Sequence, residues 1–314
     1  MNPELLSRLR KNDIRTVSRL ISRAENGDSS LDMDLDSLYP YTQEGVRIGM
    51  TGAPGVGKST LIDTLVSHMR SDGKAVGVIS VDPTSPFSGG ALLGDRIRMT
   101  RHAADPNVFI RSMGSRGHPG GLARTTHLVA DILACTGKDY VLVETIGVGQ
   151  AETDIVQYVD LTIVVLVPES GDEIQIMKAG PVEVADLFVI NKADREGADR
   201  IGSMLEEHIS ESLQKREIVP EVLRTTATKG EGVERLYEKC LQLVEAMKAS
   251  GTFARRRKIQ YLARVRNAVR EELSRQFWND AREEAVRGRV KQFMEEKVSP
   301  YEAARRIMED LSSD

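Results

Sequence analysis

The chain has 314 residues, 40% hydrophobic and 29% charged, with a formal net charge of -4 at pH 7. That length can bury a substantial core, as one large domain with appendages or as two domains, and the charge balance gives no case for nucleic acid as the main partner. No apolar run approaches the roughly 20 residues of a bilayer-spanning helix, so no membrane role is expected.

The start, Met1-Asn2-Pro3-Glu4, carries no secretory pattern. Residues 1–43 are expected to form an N-terminal helical region. Leu5, Leu6, Leu9, Ile14, Val17, Leu20 and Ile21 recur mostly at steps of three and four, which makes an apolar stripe. The cluster Asn26-Gly27-Asp28-Ser29 then breaks the helix.

From residue 44 to 248 short β-rich runs alternate with helical ones. Strands are predicted at 46–50, 75–81, 107–111, 140–143, 161–167 and 186–190, with another near 221–226. Several are continuous apolar stretches, such as Leu161-Thr162-Ile163-Val164-Val165-Leu166-Val167. Strands buried on both faces read this way, which predicts an α/β fold with a mostly parallel sheet covered by helices. The first strand runs into Gly52-Ala53-Pro54-Gly55-Val56-Gly57-Lys58-Ser59, followed by Thr60 and a helical pattern. This is G-x-x-x-x-G-K-[ST] in its strand–loop–helix setting, the signature of a P-loop NTPase. Its glycines let backbone N–H groups face a polyphosphate, Lys58 can reach the β/γ oxygens, and Ser59 can hold Mg²⁺.

The base is chosen further along. Asn191-Lys192-Ala193-Asp194 follows the strand Leu187-Phe188-Val189-Ile190. The Asp194 carboxylate can accept the N1–H and N2–H₂ donors of guanine, the Lys192 stem can lie along the base, and Asn191 can tie this loop to the phosphate loop. Thr226-Ala227-Thr228-Lys229-Gly230 resembles the S-A-x-K loop of GTPases, with threonine for serine. Together these loops predict GTP and GDP as ligands.

For the metal, Glu144-Thr145-Ile146-Gly147 stands where D-x-x-G is usual. The Glu144 carboxylate can hold Mg²⁺ through water, and the Gly147 N–H can sense the γ-phosphate. Asp82 at a strand end and Asp95 in Gly94-Asp95-Arg96 complete, with Ser59 and Glu144, an oxygen set suited to a hard cation. The bland alternatives are a turn residue for Asp82 and a helix cap for Asp95. Val148 occupies the position of the water-orienting glutamine of small GTPases, with Gln150 two places on as a substitute. Intrinsic hydrolysis is therefore expected to be slow and to be accelerated by a partner. The stretch Arg111–Gly121, with two arginines and His118, reads as a glycine-rich loop.

Residues 249–314 read as a C-terminal helical arm. Ile259, Leu262, Val265, Val269, Leu273 and Phe277 form one stripe, and Ser299-Pro300-Tyr301-Glu302 looks like a capped helix start. The run Arg255-Arg256-Arg257-Lys258 is expected to be a solvated helix face. Cys135 and Cys240 stand apart in sequence, with no disulfide or zinc pattern, and a cytoplasmic location is the simplest expectation.

With these residues assembled, the chain resembles the MeaB/ArgK family, G-protein chaperones of adenosylcobalamin-dependent acyl-CoA mutases. The resemblance rests on Gly52–Thr60, Val81-Asp82-Pro83-Thr84-Ser85, Gly94–Met99, Glu144–Gln150 and Asn191–Asp194, and on a loop at Gly171–Gly180. It implies Mg·GTP at the matching residues, a homodimer formed through the C-terminal helices, and a mutase partner whose cofactor loading and protection are gated by hydrolysis. It also implies that Asp172, Gln175 and Lys178 relay nucleotide state to the mutase. Three other readings stay open: a nickel-insertion accessory GTPase, a P-loop kinase, and a protein-targeting GTPase of the signal-recognition type.

Overall fold

The computed structural model describes residues 3–26, 28–82, 99–114, 126–145, 154–169 and 181–311. Residues 1–257 form one compact unit and residues 258–314 another.

Seven strands make one sheet: β1 (Val46–Thr51), β2 (Val76–Asp82), β3 (Val108–Gly114), β4 (Tyr140–Glu144), β5 (Leu161–Leu166), β6 (Leu187–Asn191) and β7 (Glu221–Thr225). Their order is β3-β2-β4-β1-β5-β6-β7, and every pairing is parallel. All seven predicted strands are present, with ends shifted by a residue or so, three at β3. The continuous apolar runs follow from burial on both faces, since β1, β4, β5 and β6 are buried along their whole length.

The helices of the first unit supply the covering layers. The first six helices of the chain are α1 (Pro3–Arg10), α2 (Ile14–Glu25), α3 (Asp32–Leu38), α4 (Lys58–Ser71), α5 (Thr126–Cys135) and the single turn α6 (Pro181–Val184). The rest are α7 (Ala198–His208), α8 (Val233–Ala249), α9 (Thr252–Phe277), α10 (Asp280–Glu295) and α11 (Pro300–Leu311). On one face, Leu61, Ile62, Leu65 and Met69 of α4 join Val233, Leu236, Cys240 and Met247 of α8 over Met50, Val76, Val78 and Leu142. On the other, Val17, Leu20 and Ile21 of α2 meet Val129, Ile132 and Leu133 of α5 over Ile79, Val81, Val141 and Val143. The predicted N-terminal stripe is thus a core face, save that Ile14 is 62% exposed at the first residue of α2. A break between α1 and α2 explains this: Asn12 takes a left-handed φ of 52° and Asp13 caps α2, re-aiming the chain.

Two expectations need correction. Arg256 and Arg257 are not on a solvated face. Arg256 grips Asp186 through both carboxylate oxygens (2.7 and 2.8 Å), and Arg257 does the same to Asp160 (2.7 and 2.8 Å). Both carboxylates are buried just before β6 and β5, where each also accepts a backbone N–H, Thr162 N to Asp186 and Arg47 N to Asp160. Paired charges at that depth hold only with such complete hydrogen bonding. Arg111, expected both as the last residue of a strand and as the first of a glycine-rich loop, lies inside β3, which runs three residues into that loop, and pairs with Glu25 of α2. Ser112, Met113 and Gly114 complete β3, and residues 115–121, His118 among them, lie outside the described residues.

Within the C-terminal unit, α11 begins as expected, with Ser299 Oγ accepting the Glu302 N–H (3.2 Å). The Glu302 carboxylate pairs with Arg305 and Arg306. The predicted stripe is largely exposed, from 40% at Val265 to 64% at Ile259. An apolar cavity of about 380 Å³ lies among Phe277, Trp278, Val290, Phe293, Ile307 and Met308. Among the described residues no helix is long and apolar enough to cross a membrane.

Candidate nucleotide site

In an open parallel sheet, ligands bind beyond the carboxyl ends of the strands. There β1 gives way to the loop 52–57 and then to α4. Gly52 has φ 138°, and a Cβ on it would lie 2.1 Å from the Val165 carbonyl oxygen of β5; only glycine lets the loop leave the sheet so closely. Gly57, at φ 94°, precedes the first helical residue and offers no side-chain cap. The first-turn N–H groups of Lys58, Ser59 and Thr60 therefore have no intrahelical acceptor and present the positive end of the α4 dipole. The Lys58 ammonium, 6% exposed, donates to the Gly52 (2.7 Å) and Ala53 (3.1 Å) carbonyls. Pro54 and Gly55 form the exposed outer turn, and the Val56 side chain is buried in the core below it.

Asn191, at the end of β6 and 2% exposed, joins three segments. Its Nδ2 donates to the Val56 carbonyl (2.8 Å), and its Oδ1 accepts from Thr225 Oγ1 (3.2 Å) and the Ala227 N–H (3.1 Å). Lys192, at φ 56°, donates from Nζ to the Gly55 carbonyl (2.9 Å). The 226–232 segment closes on itself through a Thr226–Glu231 bridge, and Thr64 Oγ1 of α4 donates to the Ala227 carbonyl (3.2 Å). Thr228 is exposed on the helical turn Ala227–Lys229, whose first residue is buried. Asp194 pairs with Lys229 (3.1 Å), whose hydrogen bond holds the Asp194 carboxyl below the usual carboxylate range. An open recess of about 240 Å³ is lined by Asp194, Arg224, Thr226 and Glu231. An ionised carboxylate at its rim is the acceptor that two adjacent N–H donors require.

The third part lies at the end of β4. Glu144 is 5% exposed, and its Oε1 accepts from Ser59 Oγ (2.7 Å) and its Oε2 from Ser80 Oγ (3.1 Å). Thr145 Oγ1 donates to Thr51 Oγ1 (2.9 Å), tying the end of β1 to the start of the segment after β4. These buried oxygens are a hard donor set, and Ser59 with Glu144 fits a small divalent cation. Asp82 ends β2 as expected, but its side chain, Asp95, Gly147 and Gln150 lie outside the described residues, as do Asp172, Gln175 and Lys178. Ser80, Lys229 and Thr64 were not predicted as site residues. Lys229 carried a signal, being the lysine of the S-A-x-K likeness, while Ser80 and Thr64 occupy ordinary strand and helix positions.

A parallel sheet whose central strand enters a phosphate loop, with an Asn-Lys-Ala-Asp turn bonded to that loop, defines a guanine-nucleotide-binding P-loop protein. The family model "Methylmalonyl Co-A mutase-associated GTPase MeaB" matches residues 17–282, and the chain belongs to this family. It is 42% identical over 311 residues to a protein of Pyrococcus horikoshii assigned as a GTPase, covering 98% of each chain. It is 33% identical over 321 residues to the GTPase ArgK of Escherichia coli, covering 99% of this chain and 96% of that one. A solved structure, of a LAO/AO transport system kinase, matches with a TM-score of 0.72 at 27% identity, over 99% of this chain and 97% of that one. The protein is a GTPase that binds guanine nucleotide.

Proposed function

We propose that this chain is a Mg²⁺-dependent GTPase chaperone that gates adenosylcobalamin loading and protection of an acyl-CoA mutase, methylmalonyl-CoA mutase or a close relative. The observation that carries the switch half of this reading is the Asn191 amide, which bonds the phosphate loop and the base-facing segment at once. A ligand that engages both loops is then held by one rigid frame. The mutase half is supported by the family to which the chain belongs.

In this reading Lys58 leaves the loop carbonyls for the β/γ-phosphate oxygens, and the α4 N–H groups meet the same phosphates. Asp194, kept ionised beside Lys229, accepts from guanine, the Lys192 stem covers the base, and the Thr226–Thr228 backbone meets its O6. Ser59 and Glu144 hold Mg²⁺, with Asp82 and Asp95 as the further acids. Mg²⁺ supplies charge neutralisation of the β/γ oxygens when bound. Gly147 and Gln150 belong to the γ-phosphate side of the site. The G domain spans 44–248, between an N-terminal helical region at 1–43 and an arm at 249–314. The exposed apolar stripe Ile259–Leu273 supports a homodimer through that arm, since such a face needs covering. The compartment is the cytoplasm.

The test is GTP turnover, measured alone and with each adenosylcobalamin-dependent mutase of the same organism. A basal rate below about one per second that rises at least about tenfold with one mutase is expected, because Val148 stands where small GTPases orient water. A rate unchanged by every mutase, with no complex formed, refutes the chaperone reading and makes the nickel-insertion alternative the next to test.

A further inference from the structure

We propose that Ser80, near the carboxyl end of β2, is a positioning residue for the divalent cation of this site, acting through Glu144. The inference rests on the reading above that Ser59 and Glu144 hold that cation.

In β2 the side chains of Val76 and Val78 pack under α4, and those of Ile79 and Val81 pack on the opposite face. Ser80 shares the face of Val76 and Val78. Alternation would place another branched apolar residue there, yet the position holds a hydroxyl that is 1% exposed. A buried hydroxyl forgoes apolar burial and must find a partner. Register supplies one: Ser80 pairs with Glu144 across the β2–β4 ladder, so the two side chains stand side by side on one face.

The result is a carboxylate held at both ends. Ser59 occupies Oε1 and Ser80 occupies Oε2, from an α-helix and a neighbouring strand. Ser59 belongs to the moving part of the cycle, because its hydroxyl oxygen is itself a cation ligand in this reading. Ser80 does not, being fixed in the sheet. Its hydrogen bond sets the plane of the carboxylate whether or not the cation is present, so Glu144 need not reorient when the cation arrives. Partners of this kind, one step behind the ligands, typically change metal affinity or activity 10- to 100-fold when removed.

The experiment follows release of a fluorescent GDP analogue from the full-length protein as Mg²⁺ is titrated, with melting temperature and Mg²⁺-free nucleotide affinity measured in parallel. Wild type should release nucleotide more slowly as Mg²⁺ rises, and Glu144→Gln should abolish that response. Ser80→Ala should raise the Mg²⁺ concentration for half-maximal retention by about tenfold or more, leaving affinity in EDTA unchanged. Ser80→Thr, which keeps the hydroxyl, should restore the wild-type midpoint. Should Ser80→Ala fail to fold, Ser80→Cys, close in size with a weak donor, takes its place with the same expected shift. A wild type indifferent to Mg²⁺, or a Glu144→Gln variant that responds normally, overturns the underlying cation reading and this inference with it. A normal midpoint in Ser80→Ala beside an altered Glu144→Gln overturns the role of Ser80 alone. So does a loss of melting temperature and of Mg²⁺-free affinity without a shift in midpoint, the pattern of a purely structural serine.

Discussion

Replacing Asn191 with alanine removes one amide and three hydrogen bonds, to Val56 O, Thr225 Oγ1 and Ala227 N. At about 1 kcal/mol net per bond, the loss of stability is about 3 kcal/mol. The figure does not fall by relaxation into water, because Asn191 is only 2% exposed and the Val56 carbonyl and Ala227 N–H would be left behind it. For a unit of this size, 1 kcal/mol corresponds to roughly 2–4 °C in melting temperature, so a drop of roughly 6–12 °C is expected without nucleotide. GTP and GDP affinities should fall together, because the loops that hold phosphate and base lose their common support. Thr225→Val removes only the longest of the three bonds and should cost about 0.5–1.5 kcal/mol. The assay is differential scanning fluorimetry with titration of a fluorescent GDP analogue. An Asn191→Ala variant that melts and binds like wild type would show that the three segments are held by other contacts, and would remove the main support for a shared frame.

Two further outcomes follow from the buried charges and thiols. Asp160→Ala removes the counter-ion of the Arg257 guanidinium, which keeps only the Gln43 and Gly45 carbonyls, and the acceptor of the Arg47 N–H, and chemical denaturation should register a loss of about 3–5 kcal/mol. A cost under about 1 kcal/mol would place these arginines among ordinary surface pairs. Burial pushes the thiols of Cys135 and Cys240 up to about 12. A raised pKa keeps each thiol protonated as pH climbs toward that value, and the thiolate is the reactive form. A thiol reagent at pH 8 should therefore modify neither in the native protein and both after unfolding; rapid native labelling would contradict their burial.

Much of the site was legible because its chemistry is local in sequence. Gly52–Ser59 needs closely spaced glycines, a lysine and a serine to wrap a phosphate, and Asn191–Asp194 needs its residues in a four-residue turn, so each is recognisable from nearby residues alone. The strands were legible for a similar reason: burial on both faces writes an unbroken apolar run into the chain. The likeness of Thr226–Lys229 to a base-contact loop was visible too, but the ion pair of Lys229 with Asp194 was not, since it joins residues on different strands' loops.

Other features had no such local trace. Arg255–Lys258 has the composition of a solvated face, and only the folded chain brings Arg256 and Arg257 to Asp186 and Asp160, carboxylates some 70 to 97 residues away along the chain. Ile14 fits the periodicity of a buried stripe, but the turn at Asn12 rotates it into solvent. Ser80 reads as one polar residue in an apolar strand; the parallel register that sets it against Glu144 depends on β2 pairing with β4, which periodicity does not specify. Local patterns determined which elements and loops this protein has. Lateral pairing and long-range ion pairs decided which side chains meet, because the energy of a buried polar contact depends on a partner that sequence distance conceals.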